Sequence, residues 1–222
     1  MNAEAGEKET IPLLREYDSS TLAVTKIEYV SNRTHFKAYL PRYSSGTPEE
    51  FLSFLQELKE NAVKIDYNTW DKEEKGMEQL LSGQAQRDWS TQKQLIQPGI
   101  QDEQAYRARI LAWKQSIITD PSAIENQKTY MLQMKKFDKF TVPQYWDRIS
   151  HMNLLIQQFP NATAADSFSH RELKRIFFTS MPARWKTNFI NAGLDQHNSS
   201  VEEIKKIYDS TRVPSQCPPE IK

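Results

Sequence analysis

At four places along this chain a hydroxyl residue is followed three positions later by a carboxylate or amide, and then by an apolar stripe at helical spacing. The four segments are Thr47-Pro48-Glu49-Glu50, Thr141-Val142-Pro143-Gln144, Ser169-His170-Arg171-Glu172 and Ser200-Val201-Glu202-Glu203. In such a capping box the hydroxyl accepts from a free N–H of the first helical turn. The residue three positions on reaches back to the hydroxyl residue's own N–H. Each box states where a helix begins, and four of them commit most of the chain to helices.

The stripes behind the boxes agree. Phe51, Leu55, Leu58 and Ala62, with Phe54 alongside, give one apolar face after Thr47. Tyr145, Ile149, Met152 and Ile156 follow Thr141, and Pro160 closes the segment. Leu173, Ile176, Phe177 and Met181 follow Ser169, while Ile204, Ile207 and Tyr208 follow Ser200. Between these lie further helical patterns: Met77, Leu81, Ala85 and Trp89; then Tyr106, Ile110, Trp113 and Ile117; then Trp185, Phe189 and Ile190, with Gly193 suited to the position past a helix end. The stripe through Trp89 predicts one helix from about Thr69 to Trp89, with Gly76 as the place where it would break. Gly83 and Ala85 sit inside that pattern. Glycine costs a helix about 1 kcal/mol against alanine, so close approach of another helix is the expected reason for Gly83.

Ahead of the helices, Val24–Val30 and Phe36–Leu40 alternate in polarity around Ser31-Asn32-Arg33-Thr34, the pattern of a small β-hairpin. Asp120-Pro121 pairs an N-cap residue with a proline at the first helical position, so one helix stops where another starts. The expected organisation is a flexible arm over 1–22, an N-terminal domain over 23–119, a C-terminal domain over 120–211 and a tail or linker over 212–222. The expected fold class is all-α, in two small helical lobes, with a short N-terminal hairpin.

The chemistry of catalysis has little to work with. The 222 residues hold four histidines, one cysteine (Cys217) and six glycines. The histidines are scattered, and Asp147–His151 and Asp166–His170 are lone pairs at helical spacing, which ordinary helix surfaces carry. Neither HExxH nor CxxC occurs, nor a phosphate-binding glycine loop, nor a GxSxG elbow. No catalytic residue, metal or cofactor is therefore expected. Lysine plus arginine equals aspartate plus glutamate at 29 each, so a strongly basic nucleic-acid surface is not expected either. Lys135-Lys136, Lys139, Arg171, Lys174-Arg175 and Lys205-Lys206 are local basic spots. One cysteine excludes a disulfide framework within the chain, and no apolar run approaches a membrane span. A reducing, cytoplasmic setting with no membrane partner is the expectation.

In order and spacing, Tyr43-Ser44-Ser45-Gly46-Thr47-Pro48-Glu49-Glu50-Phe51 and Leu80-Leu81-Ser82-Gly83-Gln84-Ala85-Gln86-Arg87-Asp88-Trp89 resemble the capsid region of Gag polyproteins from gypsy-type LTR retrotransposons. Phe140-Thr141-Val142-Pro143-Gln144-Tyr145-Trp146-Asp147-Arg148-Ile149 is similar to the helical part of the family's C-terminal lobe. It lacks the Gln-Gly opening of the related retroviral major homology region. Phe168–Lys174 and Met181–Trp185 fit later elements. The resemblance spans roughly residues 40–212. It implies a retroviral capsid-like pair of lobes, assembling with itself into hexamers and pentamers around RNA. It implies scaffold roles for Gly46, Thr47, Phe51, Leu81, Gly83, Ala85 and Trp89 in the first lobe. In the second it implies core positions for Val142, Tyr145 and Ile149, and a buried polar network on Arg148. Trp146 lies off the stripe of Tyr145 and Ile149, where it suits an interface anchor as well as a second buried face. RNA contact would come mainly from a nucleocapsid region that this sequence does not contain. Two other readings stand beside the shell protein: a Gag-derived module that binds a peptide or partner, and an unrelated helical enzyme.

Overall fold

The structure, a computed structural model, describes residues 12–15, 22–31, 34–62, 69–136, 139–195 and 198–210. Among them are one antiparallel hairpin and nine α-helices. Strands β1 (Ala23–Ser31) and β2 (Thr34–Arg42) pair from Ala23↔Arg42 to Ser31↔Thr34. The helices are α1 (Pro48–Ala62), α2 (Trp70–Leu80), α3 (Gly83–Leu95), α4 (Glu103–Ile117), α5 (Ala123–Gln133), α6 (Val142–Ile156), α7 (His170–Ser180), α8 (Ala183–Asn191) and α9 (Val201–Ser210). The chain is mostly helical with a short hairpin near its N-terminus, the expected fold class. The hairpin turn Asn32-Arg33, the connector Val63–Tyr67, His197, Cys217 and the tail lie outside the described residues.

All four capping boxes close. Thr47 N–H donates to Glu50 Oε2 at 2.7 Å and Glu50 N–H to Thr47 Oγ1 at 3.2 Å. The Thr141–Gln144 pair makes the same two bonds at 3.0 and 3.3 Å, Ser169–Glu172 at 2.8 and 3.3 Å, and Ser200–Glu203 at 2.7 and 3.2 Å. These bonds favour the ionised acid, so the carboxyls of Glu172 and Glu203 are held below their ordinary range, chiefly by Ser169 and Ser200. Gly46 has a local reason: a methyl there would overlap the Glu50 carboxylate as it folds back over the box.

The helix expected across residues 69–89 is instead two helices. Gly76 is buried inside an unbroken α2. The break falls at Leu81-Ser82, which is extended, and Gly83 opens α3 with φ +54°. That left-handed backbone, and not the close approach of a helix, is what requires glycine at 83: an added Cβ would meet nothing nearer than Ser44 Cβ at 3.7 Å.

The chain divides into two compact units. The first runs to Gln127 and takes in Leu154–Ser167; the second is Lys128–Asn153 and the residues from Phe168 onward. Asp120-Pro121, the expected junction, therefore lies inside the first unit. Side-chain amides tie Gln127 and Gln158 to other residues of that unit. Gln127, fully buried, accepts from Leu14 N–H at 2.8 Å and donates to Leu14 C=O at 2.9 Å. Gln158 donates to Gln56 on α1 at 2.7 Å. Leu14 falls within the expected flexible arm, yet it is fully buried.

Replacing Gly83 by alanine should lower stability by about 1–2 kcal/mol, the cost of a left-handed L-residue. Gly83→Asn, which tolerates that region better, should lose less. Urea unfolding midpoints decide it, and an alanine variant as stable as the parent would overturn the assignment.

Candidate functional site

The first unit is organised where the hairpin ends. Tyr43 N–H donates to Leu80 C=O at 3.1 Å, Ser82 N–H to Tyr43 C=O at 3.0 Å, and Ala85 N–H to Ser44 C=O at 2.7 Å. Tyr43 and Leu81 thereby form a short parallel bridge. The two segments that carry the first-lobe motifs are thus hydrogen-bonded to each other across some forty residues of chain.

The ladder places an aromatic cluster. The Tyr43 ring lies 5.7 Å from Phe51 and 5.6 Å from Phe54; Trp113 sits 4.8 Å from Phe51 and 5.6 Å from Trp89. Phe51, Leu81, Ala85 and Trp89 are all buried here, whereas Gly46 and Thr47 are exposed and serve the cap of α1. Burial and the Glu50 and Asp88 charges push the Tyr43 hydroxyl up to about 12. The Trp89 indole N–H donates to Glu78 Oε1 at 3.1 Å, and Lys93 pairs with the same carboxylate.

In the second unit Val142, Tyr145 and Ile149 are fully buried, and Arg148 is 9% exposed. Tyr145 stacks near Phe177 at 6.1 Å. Trp146 is half-buried, edge-on to Phe177 at 5.2 Å and to His170 at 5.8 Å, with Lys205 Nζ 5.8 Å from its ring centre. Its ring is therefore packed within its own unit. Several basic spots are similarly engaged: Lys136 over Trp185, Lys139 over Phe140, and Lys174 bonded to Ser199 C=O. No group of three or more potential metal ligands occurs among the described residues.

Three polar residues that the sequence patterns did not single out hold backbone that the helices leave unpaired. Arg109, 3% exposed, donates to Ile96 C=O at 3.2 Å and Gln97 C=O at 3.0 Å, and also to Ile100 C=O, with Glu74 at 3.7 Å. Asn153 donates to Phe168 C=O and accepts from Phe168 N–H, at 3.0 and 2.8 Å. Gln127 does the same for Leu14. Their only signal in sequence is a polar side chain on an otherwise apolar face.

A groove of about 460 Å³ in the first unit runs beside α1 and α4. Its apolar lining includes Leu58, Ile110 and Leu111, and Lys59, Arg107, Lys114 and Glu73 supply charge. Glu73 accepts a hydrogen bond from the Tyr106 hydroxyl; that hydroxyl is pushed well up by burial and by Glu73. Burial, then the neighbouring Lys59, lowers the Lys114 ammonium to about 8.

Compared with protein-family models, with curated proteins and with solved structures, the chain matches none of them.

Lys114 gives a signed prediction. Its folded pKa, about 8, lies below the unfolded value of 10.5, so the unfolded chain holds more protons between these limits and stability rises with pH there. Lys114→Met should be more stable than the parent at pH 7, and the gap should close toward pH 10. Urea unfolding across that range tests it; a gap that does not change with pH would refute the buried charge. Arg109→Leu should cost about 3 kcal/mol or more, since it takes the buried guanidinium from Glu74 and the side-chain donor from the Ile96 and Ile100 carbonyls, and should raise hydrogen exchange through residues 96–100.

Proposed function

We propose that this chain is a capsid-type structural protein of a retrotransposon Gag, acting in the cytoplasm by self-association into a shell around the element's RNA. The observation that carries this reading is the ladder between Tyr43-Ser44 and Leu80–Ala85. Two sequence phrases, placed in the family's order, act here as one scaffold: they cap α1, set the break before α3 and bury their apolar residues together. None of these residues is arranged for bond-making chemistry. Their work is to hold surfaces in place. Exposed apolar side chains are spread over those surfaces, among them Tyr39 on β2, Leu132 on α5 and Ile190 on α8. These suit contacts between copies, and the hexamers and pentamers of the resemblance would be built from such contacts. RNA would be held mainly by a nucleocapsid region.

The groove beside α1 and α4 favours a second reading, a Gag-derived module that binds a peptide and builds no shell. Electron microscopy of concentrated protein at raised salt separates the two. Shells, tubes or regular oligomers are expected, and Tyr39→Glu, Leu132→Glu or Ile190→Glu should abolish them wherever that surface is used, with far-UV circular dichroism unchanged. A protein that stays monomeric under every such condition overturns the shell reading.

A further inference from the structure

Lys114, half-buried on α4, donates to Gln158 Oε1 at 3.3 Å. Gln158 donates in turn to Gln56 Oε1 at 2.7 Å, and Gln56 to Glu60 Oε1 at 2.7 Å. Two amides are thus aligned head to tail, each presenting its oxygen toward the lysine end of the row. The row fixes the ammonium without neutralising it. No described carboxylate forms an ion pair with Lys114 or with its neighbour Lys59. The other charged groups of the groove are already engaged: Arg107 with Glu103, and Glu73 with the Tyr106 hydroxyl. An ammonium carries three donors, and the bond to Gln158 is the one that Lys114 makes among the described residues.

Lys59, which is exposed, and half-buried Lys114 both line the groove and repel each other, and an anion between them would relieve that repulsion. We propose that this groove docks a peptide that presents a carboxylate beside a large apolar side chain: Lys114 and Lys59 take the carboxylate, and Ile110, Leu111 and Leu58 take the apolar group. The volume, about 460 Å³, lies in the usual range of ligand clefts, roughly 300–1,000 Å³. A peptide fits better than a nucleic acid. A polyphosphate gains affinity by engaging many cations at once, whereas this groove offers two uncompensated lysines with Glu73 beside them. The inference deepens the peptide-binding reading and does not depend on shell formation.

The test pans immobilised full-length protein against a random heptapeptide library, then measures the leading peptide by fluorescence anisotropy. The expected consensus places Asp or Glu next to Leu, Ile or Phe. Changing that acid to its amide, or the protein by Lys114→Met or Lys59→Ala, should weaken binding about tenfold or more, as expected for loss of a charge-assisted hydrogen bond. Lys114→Arg should retain most of it. A consensus without an acid, still lost in Ile110→Asp, overturns the carboxylate assignment and leaves the peptide-binding reading standing. No enriched peptide overturns both. Displacement of the peptide by millimolar inorganic phosphate or by short RNA would identify a phosphate site and also overturn the proposal.

Discussion

Three backbone hydrogen bonds, from Tyr43-Ser44 to Leu80, Ser82 and Ala85, are the constraint on which the first unit depends. They stand where three kinds of structure meet: the end of β2, the cap of α1 and the gap between α2 and α3. Backbone groups buried at such a meeting point must be paired or they cost free energy. Pairing them as a short strand bridge forces Leu81-Ser82 to be extended, which breaks the helix. The chain then re-enters a helix through a left-handed residue, which selects glycine at 83. The same bridge turns the Tyr43 ring toward Phe51, Phe54 and Trp113. One local pairing thus sets the helix break, the glycine and the aromatic core.

The rest of the fold relies on a related device. Arg109, Asn153 and Gln127 each lie on a helix and each satisfies backbone in a segment without regular structure. A buried amide that donates and accepts to one residue, as Asn153 does with Phe168, replaces a missing ladder partner on both sides. Such residues fix non-helical segments far more closely than apolar contact can, because hydrogen bonds are directional and burial is not. In the second unit Asn153 sets the approach to the Ser169 cap. The aromatic cluster of Phe177, Phe178, Phe189 and Tyr208 then fills the space between α7, α8 and α9.

What was legible in the sequence was whatever is local. A capping box needs four consecutive residues and an apolar stripe needs about ten, so the starts of α1, α6, α7 and α9 and their buried faces could be read directly. The hairpin's alternation is equally local. What escaped was set by partners distant in the chain. Leu81 and Ala85 fit the stripe of Met77 and Trp89 so well that nothing local marks the break between them; Tyr43 imposes it from far upstream. Leu14 looks like any residue of a polar arm until Gln127 is placed beside it. Arg109 and Lys114 share α4 and look alike in sequence. One is enclosed by carbonyls and Glu74, the other abuts a second lysine, and only the fold distinguishes them.

That contrast bears on how a chain with no net charge can use its cations. In the second unit Lys136, Lys139 and Lys205 lie against aromatic faces, where the ring quadrupole stabilises them and their stems add to packing. Cations held in this way support the fold and contribute little to counterion release from a nucleic acid, which scales with the number of phosphates engaged. Under the shell reading, RNA affinity must therefore reside mostly outside these surfaces. Association between copies must then rest on dispersed apolar contacts such as Tyr39, Leu132 and Ile190. Apolar association gains from salts that strengthen burial, while a charge-driven one is screened by them. Under that reading, the distribution of charge in this fold decides how assembly should respond to salt.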